Sequence, residues 1–338
     1  MNILAIESSC DETAVAIVRD GREVLTDCIA SQVALHREYG GVVPEIASRK
    51  HIEAIYPLAD QALKEAGLTR DDIDAVAVTY APGLIGAVLV GVNFAKAAAM
   101  AMNKPLIPVH HIRGHIAANY LAYPELKPPF LCLVVSGGHT MIIEVKDYTD
   151  MRILGTTLDD AAGECFDKVG RVLGMPYPGG AALDKAAQQG DETKYSLPVA
   201  KPGENPYNMS FSGLKTATLN LIHHAEQVGE ELDIPSLCAS FTAAVSETLV
   251  PRVVRALQET GYRKVAVAGG VAANSRIRAD ILAAAQKLGA EVYMPPLKLC
   301  GDNGAMIGSQ AYYEYLAGNV ADMSLNAYAT KSILGETV

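Results

Sequence analysis

Asn2-Ile3-Leu4-Ala5-Ile6-Glu7-Ser8-Ser9-Cys10-Asp11-Glu12-Thr13-Ala14-Val15-Ala16-Ile17-Val18-Arg19 opens the chain and decides its fold class. Asn2 to Glu7 is apolar and predicts a strand. Ser8 to Glu12 is polar and turn-like, Thr13 to Arg19 predicts a second strand, and Asp20-Gly21 marks a hairpin before a third strand at Glu23 to Ser31. The pattern returns later. Phe130 to Val135 is apolar, Ser136-Gly137-Gly138-His139 is a tight polar turn, and Thr140 to Val145 and Met151 to Thr157 again predict strands. Two copies of strand, polar turn and strand imply two similar domains.

Helical patterns fill the intervals. Pro44 starts one that runs to Ala66, with Gly67 placed to terminate it. Asp74 to Thr79 reads as a strand, and Pro82-Gly83 separates it from an apolar helix over Leu84 to Met102. Further helices are expected over Pro235–Gln258, Asn274–Leu288 and Asn303–Leu316, and strands over Pro105–Val109, Lys264–Ala268 and Glu291–Met294. Strands alternating with helices predict an α/β architecture. Gln188 to Pro206 is rich in Gly, Pro, Lys and polar residues and reads as a surface insertion or mobile loop.

Composition narrows the function. The chain has 338 residues, half of them hydrophobic, enough for two domains with cores of their own. A formal net charge of -10 argues against nucleic-acid binding over the whole surface, so any RNA contact needs a local patch or a partner protein. The six cysteines show no Cys-x-x-Cys spacing and read as reduced thiols. The N-terminus lacks a signal-peptide pattern. The apolar run at Leu84–Met102 is interrupted by Asn93 and Lys96 and reads as a buried helix, so no membrane association and a cytoplasmic location are expected.

The strongest chemical signal is His110-His111-Ile112-Arg113-Gly114-His115. His111 and His115 are one helical turn apart and can chelate a metal; a pair of surface or capping histidines is the bland alternative. Ile112 stands where a zinc protease of this pattern needs a glutamate base, which argues against that chemistry. Asp302, just before the last expected helix, is a candidate third ligand, although a carboxylate there can equally be an N-cap. Ser136-Gly137-Gly138, Pro178-Gly179-Gly180 and Ala268-Gly269-Gly270 are glycine turns that can bring backbone N–H groups to a phosphate, each alone also an ordinary tight turn. Asp11 and Glu12 could handle protons, and Asp167 and Asp184 could bind hydroxyl groups; each singly has a surface explanation.

Taken together, these stretches resemble the bacterial tRNA N6-adenosine threonylcarbamoyltransferase family, within the actin, hexokinase and heat-shock-chaperone ATPase superfamily. The resemblance runs from Ile6-Glu7-Ser8-Ser9-Cys10-Asp11-Glu12-Thr13 through Tyr39-Gly40-Gly41-Val42-Val43-Pro44-Glu45, the His110–His115 stretch and Val135-Ser136-Gly137-Gly138-His139-Thr140. It continues through Asp159-Asp160, Phe166-Asp167-Lys168, Tyr177-Pro178-Gly179-Gly180, Ser210-Phe211-Ser212-Gly213-Leu214-Lys215-Thr216 and Ala268-Gly269-Gly270-Val271 to Asp302-Asn303-Gly304-Ala305-Met306.

The resemblance implies two actin/hexokinase-like domains with a central cleft. It places the first lobe at 1–109, completed by a C-terminal helix at 303–338, and the second at 110–302 with the insertion around 188–206. It implies transfer of a threonylcarbamoyl group from threonylcarbamoyl-adenylate to N6 of the adenosine beside the anticodon, in tRNAs reading codons that begin with A, releasing AMP. His111, His115 and Asp302 would hold one divalent metal, Fe(2+) first and Zn(2+) second. Val134, Val135, Ser136, Gly137, Gly138, Asp167, Gly180, Asp184 and Asn274 would hold the adenylate, and Asp11 and Glu12 would lie at the reacting centre, with the base left open between them. The implied partners are tRNA, an inactive paralogous subunit, a small P-loop-type ATPase subunit and a synthase that supplies the adenylate, with the Pro44–Ala66 helix as a docking face. Two departures stand out. Gly301 replaces the Thr common in bacterial relatives, and Leu133-Val134-Val135 lacks the extra Tyr ligand of the archaeal and eukaryotic branch. A small-molecule kinase of the same superfamily would need no His-x-x-x-His chelate, and an inactive scaffold would lack both histidines.

Overall fold

The computed structural model describes residues 1–201 and 203–334. In chain order its elements are β1 (Asn2–Glu7), β2 (Glu12–Arg19), β3 (Glu23–Ser31), α1 (Val33–Arg37), α2 (Pro44–Ala66), β4 (Ala75–Ala81), α3 (Ile85–Met102), β5 (Leu106–His110), α4 (His111–Ala122), β6 (Phe130–Val135), β7 (Thr140–Val145) and β8 (Met151–Thr156). They continue with α5 (Ala162–Val172), α6 (Gly179–Ala187), α7 (Ser212–Val228), α8 (Ile234–Thr260), β9 (Lys264–Ala268), α9 (Ser275–Lys287), β10 (Glu291–Tyr293) and α10 (Gly304–Leu316).

The strands form two sheets, ordered β3-β2-β1-β4-β5 and β8-β7-β6-β9-β10. The orders match position for position. β1 pairs antiparallel with β2 and parallel with β4, as β6 does with β7 and β9. The expected α/β class and the internal repeat are therefore present in the topology.

Period-two alternation explains the first sheet. Leu4 and Ile6 of β1 face a cluster with Ile55 and Leu58 of α2 and Val88 and Val92 of α3. Ile3 and Ala5 face the other way, toward Ala118 of α4 and Met306, Ile307 and Ala311 of α10. Both faces are covered, which is why β1 reads as one apolar run. The α10 side is built for close approach. A Cβ at Gly304 would lie 2.7 Å from the Ala16 backbone nitrogen, and one at Gly308 would lie 2.6 Å from a Val18 methyl. Gly114 of α4 likewise leaves room for Ile307, whose Cδ1 lies 2.7 Å from where a Cβ would be. Small residues thus fix the two helices that carry the histidines and follow Asp302.

The chain divides into two compact units, one of Met1–Pro128, Lys146–Met151 and the segment from Pro295 on, the other of Pro129–Val145 and Arg152–Met294. The first unit extends past the expected limit at 109, because α4 packs on α10 and the first sheet. The expected C-terminal helix over 303–338 is shorter: α10 ends at Leu316, and the chain to Leu334 has no further helix. Its last part, 335–338, lies outside the described residues. The 188–206 insertion has no helix or strand among its described residues, but it is tied down. Asp191 and Tyr195 donate their N–H groups to Ser236 and Ser240 of α8, and Arg252 donates to the Ala200 carbonyl. By length and composition, α3 and α8 could each cross a membrane. Most of α8 is buried, however, and α3 sets Val88, Val92 and Ala95 into the core.

Candidate metal centre and glycine turns

β5 ends at His110, and the chain turns directly into α4. His110 Nδ1 accepts the Ile112 N–H as the N-cap, which leaves His111 and His115 one turn apart on the inner face. Their rings meet edge to face with centroids 4.6 Å apart. Asp302 Oδ1 lies 3.2 Å from His115 Nε2 and 3.5 Å from His111 Nε2, and the three ligand atoms lie within 4.8 Å of one another. The capping role that Asp302 might have had falls to Asn303, whose Oδ1 accepts the Met306 N–H at 2.8 Å. Asp27 takes the Gly304 N–H. Gly301 has open space where a side chain would go, so the departure there leaves Asp302 in place.

Glu7 completes the arrangement, and sequence reasoning gave it no role. It ends β1 fully buried, and its carboxylate accepts from the Thr79 hydroxyl at 2.6 Å and the Ser9 N–H at 2.5 Å. His111 Nδ1 lies 3.0 Å from Glu7 Oε2 and 3.1 Å from Ser9 Oγ. A carboxylate only accepts, so Nδ1 carries a hydrogen, and Nε2, on the Asp302 side, is the nitrogen left for a metal to take in place of a proton. This is how a buried carboxylate orients a metal-binding imidazole. Burial alone would push Glu7 up, but His111 and the Thr79 hydroxyl outweigh it and hold the carboxyl below its usual range. Burial pushes His111 down, yet Asp302 and Glu7 prevail and raise it to about 9. A pocket this negative favours a cation. Two imidazoles and one carboxylate suit Fe(2+) or Zn(2+) and leave positions for substrate oxygens. The signal in the sequence was a single acid closing a strand otherwise wholly apolar, a residue that needs a buried partner.

The back of α4 is held by the chain after α10. Arg113 donates to the Ile333 carbonyl at 2.9 and 3.1 Å and pairs with Glu314, and His110 Nε2 lies 3.1 Å from the Lys331 carbonyl oxygen. Ala327 and Ile333 are buried, and the Lys331 ammonium sits over the rings of Tyr80 and Tyr328. Residues 327–333 therefore form a strap behind the ligand-bearing helix.

Asp11 and Glu12 follow Ser9 in the turn between β1 and β2. Asp11 is buried, and Glu12 accepts from Ser31 Oγ at 2.8 Å. Burial first, then Asp11 and Asp302, push Glu12 up to about 9, and a hydrogen bond with Asp11 adds to this. The direction of this shift favours the neutral acid, which can donate a hydrogen bond. Burial and Asp11 also push the Cys10 thiol far up, which disfavours the thiolate there.

In the second unit, Ser136–His139 forms the expected tight turn, closed by Ser136 N–H to the His139 carbonyl at 2.8 Å. Gly137 and Gly138 are exposed, with no atom within 4 Å of a would-be Cβ. Val134 and Val135 are buried in β6, and the Val135 carbonyl oxygen would lie 2.5 Å from a Cβ at Gly269, a residue at φ +93°. The other expected adenylate contacts have structural partners. Asp167 Oδ1 accepts from the Gly179 N–H at 2.8 Å and, more loosely, from the Gly180 N–H at 3.4 Å. Asp184 accepts from Ser275 N–H and Oγ, and Asn274 caps α9 through the Ile277 N–H. These contacts tie Asp167 to Gly180 and Asp184 to the residue after Asn274.

Comparison with known proteins gives the family. Residues 23–309 match the family described as tRNA N6-adenosine threonylcarbamoyltransferase. The protein of that name from Moorella thermoacetica is 56% identical over 326 residues, covering 96% of this chain and 95% of the relative. Its namesake from Clostridium botulinum strain 657 is 53% identical over 327 residues, covering 97% and 96%. Among solved structures, HypF from T. kodakarensis superposes with a TM-score of 0.64 at 15% identity, covering 96% of this chain and 49% of that one, a likeness of fold alone. Carried by relatives this similar over nearly their whole length, the chain belongs to the tRNA N6-adenosine threonylcarbamoyltransferase family and is a transferase that modifies adenosine N6 in tRNA.

Proposed function

We propose that the chain transfers the threonylcarbamoyl group of threonylcarbamoyl-adenylate to N6 of the adenosine beside the anticodon, in tRNAs reading codons that begin with A, releasing AMP. Adenosine N6 of the tRNA attacks the carbamoyl carbon of the mixed anhydride. The new C–N bond forms as the bond from that carbon to the AMP phosphate oxygen breaks, and AMP leaves. N6 is a weak nucleophile, so orientation and removal of its proton matter. Asp11 accepts that proton, while Glu12, held neutral, steadies Asp11 by hydrogen bonding.

His111, His115 and Asp302 would hold one divalent ion, Fe(2+) in first place and Zn(2+) in second. When bound, such an ion supplies Lewis-acid stabilisation of charge on the anhydride. Glu7 and Ser9 orient His111 for it. The backbone N–H groups of Gly137 and Gly138 receive the phosphate, with Val134, Val135 and Ser136 lining the same stretch. Asp167, Gly180, Asp184 and Asn274 take the rest of the adenylate. The single observation that carries this reading is the convergence of two imidazoles and a distant carboxylate within 4.8 Å.

The enzyme is cytoplasmic and works with tRNA, an inactive paralogous subunit, a small P-loop-type ATPase and the synthase that makes its substrate. The outer face of α2 docks the paralogue, since Ile52 and Tyr56 are 64% and 58% exposed there. A chain of net charge -10 gains tRNA affinity from such partners. The test is reconstitution with threonylcarbamoyl-adenylate, tRNA and partners, with metal content measured in parallel. His111→Ala and Asp302→Ala should fold, lose bound metal and form no modified adenosine. Variants that lose metal yet keep full transfer would overturn the reading.

A further inference from the structure

We infer that His51 is a positioning residue that locks the backbone entering Asp11, through a two-sided relay from Thr13 to the Cys10 carbonyl. His51 lies on α2, far in sequence from the turn, and is fully buried. Both ring nitrogens are engaged. Nε2 lies 2.9 Å from the Cys10 carbonyl oxygen and Nδ1 lies 2.7 Å from Thr13 Oγ1. A carbonyl only accepts, so Nε2 carries the hydrogen and donates it. Nδ1 is then the bare nitrogen that accepts from the Thr13 hydroxyl. Burial lowers the pKa of His51, in keeping with this neutral form.

Position gives the contact its meaning. The Cys10 carbonyl shares one rigid peptide plane with the Asp11 N–H. The next plane is pinned too, because the Asp11 carbonyl accepts the Gln32 N–H at 2.9 Å. The plane before is held by Leu84 N–H to the Ser9 carbonyl at 2.8 Å. Three consecutive planes are therefore fixed, and those on either side of Asp11 set its φ and ψ and aim its carboxylate. The Ser9 and Asp11 carbonyls are held by backbone N–H groups. The Cys10 carbonyl is held by a side chain, so substitution can release it. The inference rests on the proposed role of Asp11 as proton acceptor.

The test compares His51→Gln with His51→Asn in the reconstituted transfer assay, with Asp11→Asn alongside. Glutamine can place an amide donor where Nε2 sits but offers no acceptor to Thr13; asparagine does the reverse. His51→Gln should stay close to wild type. His51→Asn should lose about 100-fold in kcat with little change in KM, at a similar melting temperature, as expected for a small misplacement of a catalytic group. If the two variants are equally active, His51 only fills space and the inference fails, provided Asp11→Asn is inactive. A fully active Asp11→Asn would instead sink the role given to the turn, and the inference with it. In the unmutated protein, nitrogen NMR should find the Nε2–H tautomer of His51 at pH 7. An Nδ1–H form or an imidazolium would overturn the relay whatever the variants do.

Discussion

The turn at Ser8–Asp11 and the turn at Ser136–His139 occupy the same place in the two sheets, each joining the central strand to its antiparallel neighbour. Their surroundings are opposite. In the first, Ser8 donates to the Ala87 carbonyl, and the carbonyls of Ser9, Cys10 and Asp11 each accept from a different distant segment. The packing is dense as well: a Cβ at Gly91 would lie 2.3 Å from Ser8 Oγ, and one at Gly83 would lie 2.6 Å from the Ser9 carbonyl oxygen. The second turn is closed by its own Ser136–His139 hydrogen bond and is tight only on one side, where a Cβ at Gly163 would lie 2.5 Å from the Ser136 carbonyl oxygen; its other side leaves two exposed glycines with free space above them. Repetition of a topology thus gave two loops with different duties. One is held from several distant segments, and the other leaves two glycines exposed.

The largest effect should come from breaking the clamped turn chemically. Asp11→Asn keeps the shape but removes the proposed proton acceptor, and transfer should fall by about 10²–10⁴-fold with the melting temperature little changed. Single-turnover kinetics decide this, and a wild-type rate would return Asp11 to a structural role. A smaller effect concerns pH. Glu12 keeps its proton to about pH 9 when folded, against an ordinary value of 4.5. The folded chain therefore binds more protons across that window, and stability from this group is lost as pH rises from 4.5 toward 9. Denaturation midpoints should decline over the window in the wild type and less steeply in Glu12→Gln; equal slopes would exclude the shift. The smallest effect on stability belongs to the open turn. Gly137→Ala meets no neighbour, so stability should change by no more than about 0.5 kcal/mol. If the turn holds the adenylate phosphate, the same variant should raise KM for the adenylate. Loss of stability without a change in KM would reverse the contrast between the turns.

Much of this contrast could be read before the fold was seen. Strand, turn and strand were legible twice because period and polarity change sharply at Glu7 and at Ser136. The α2 helix was bounded correctly at Pro44 and Ala66, where Pro and Gly punctuate it. His111 and His115 were legible as a pair because helical spacing is local. Glu7, His51 and the strap at 327–333 were not, because their importance lies in partners that only tertiary packing supplies. That the first compact unit runs on to Pro128 was not legible for the same reason, since α4 packs on α10, far away in sequence. Asp302 was legible as an acid near a helix start, but only the structure gives the capping role to Asn303 and sets Asp302 against the two imidazoles.

The strap has a consequence for biosynthesis. Both imidazoles are synthesised well before Asp302 and the segment that braces α4. A chain that stops short of Asp302 therefore lacks one member of the proposed ligand set and the brace behind the helix that carries the other two.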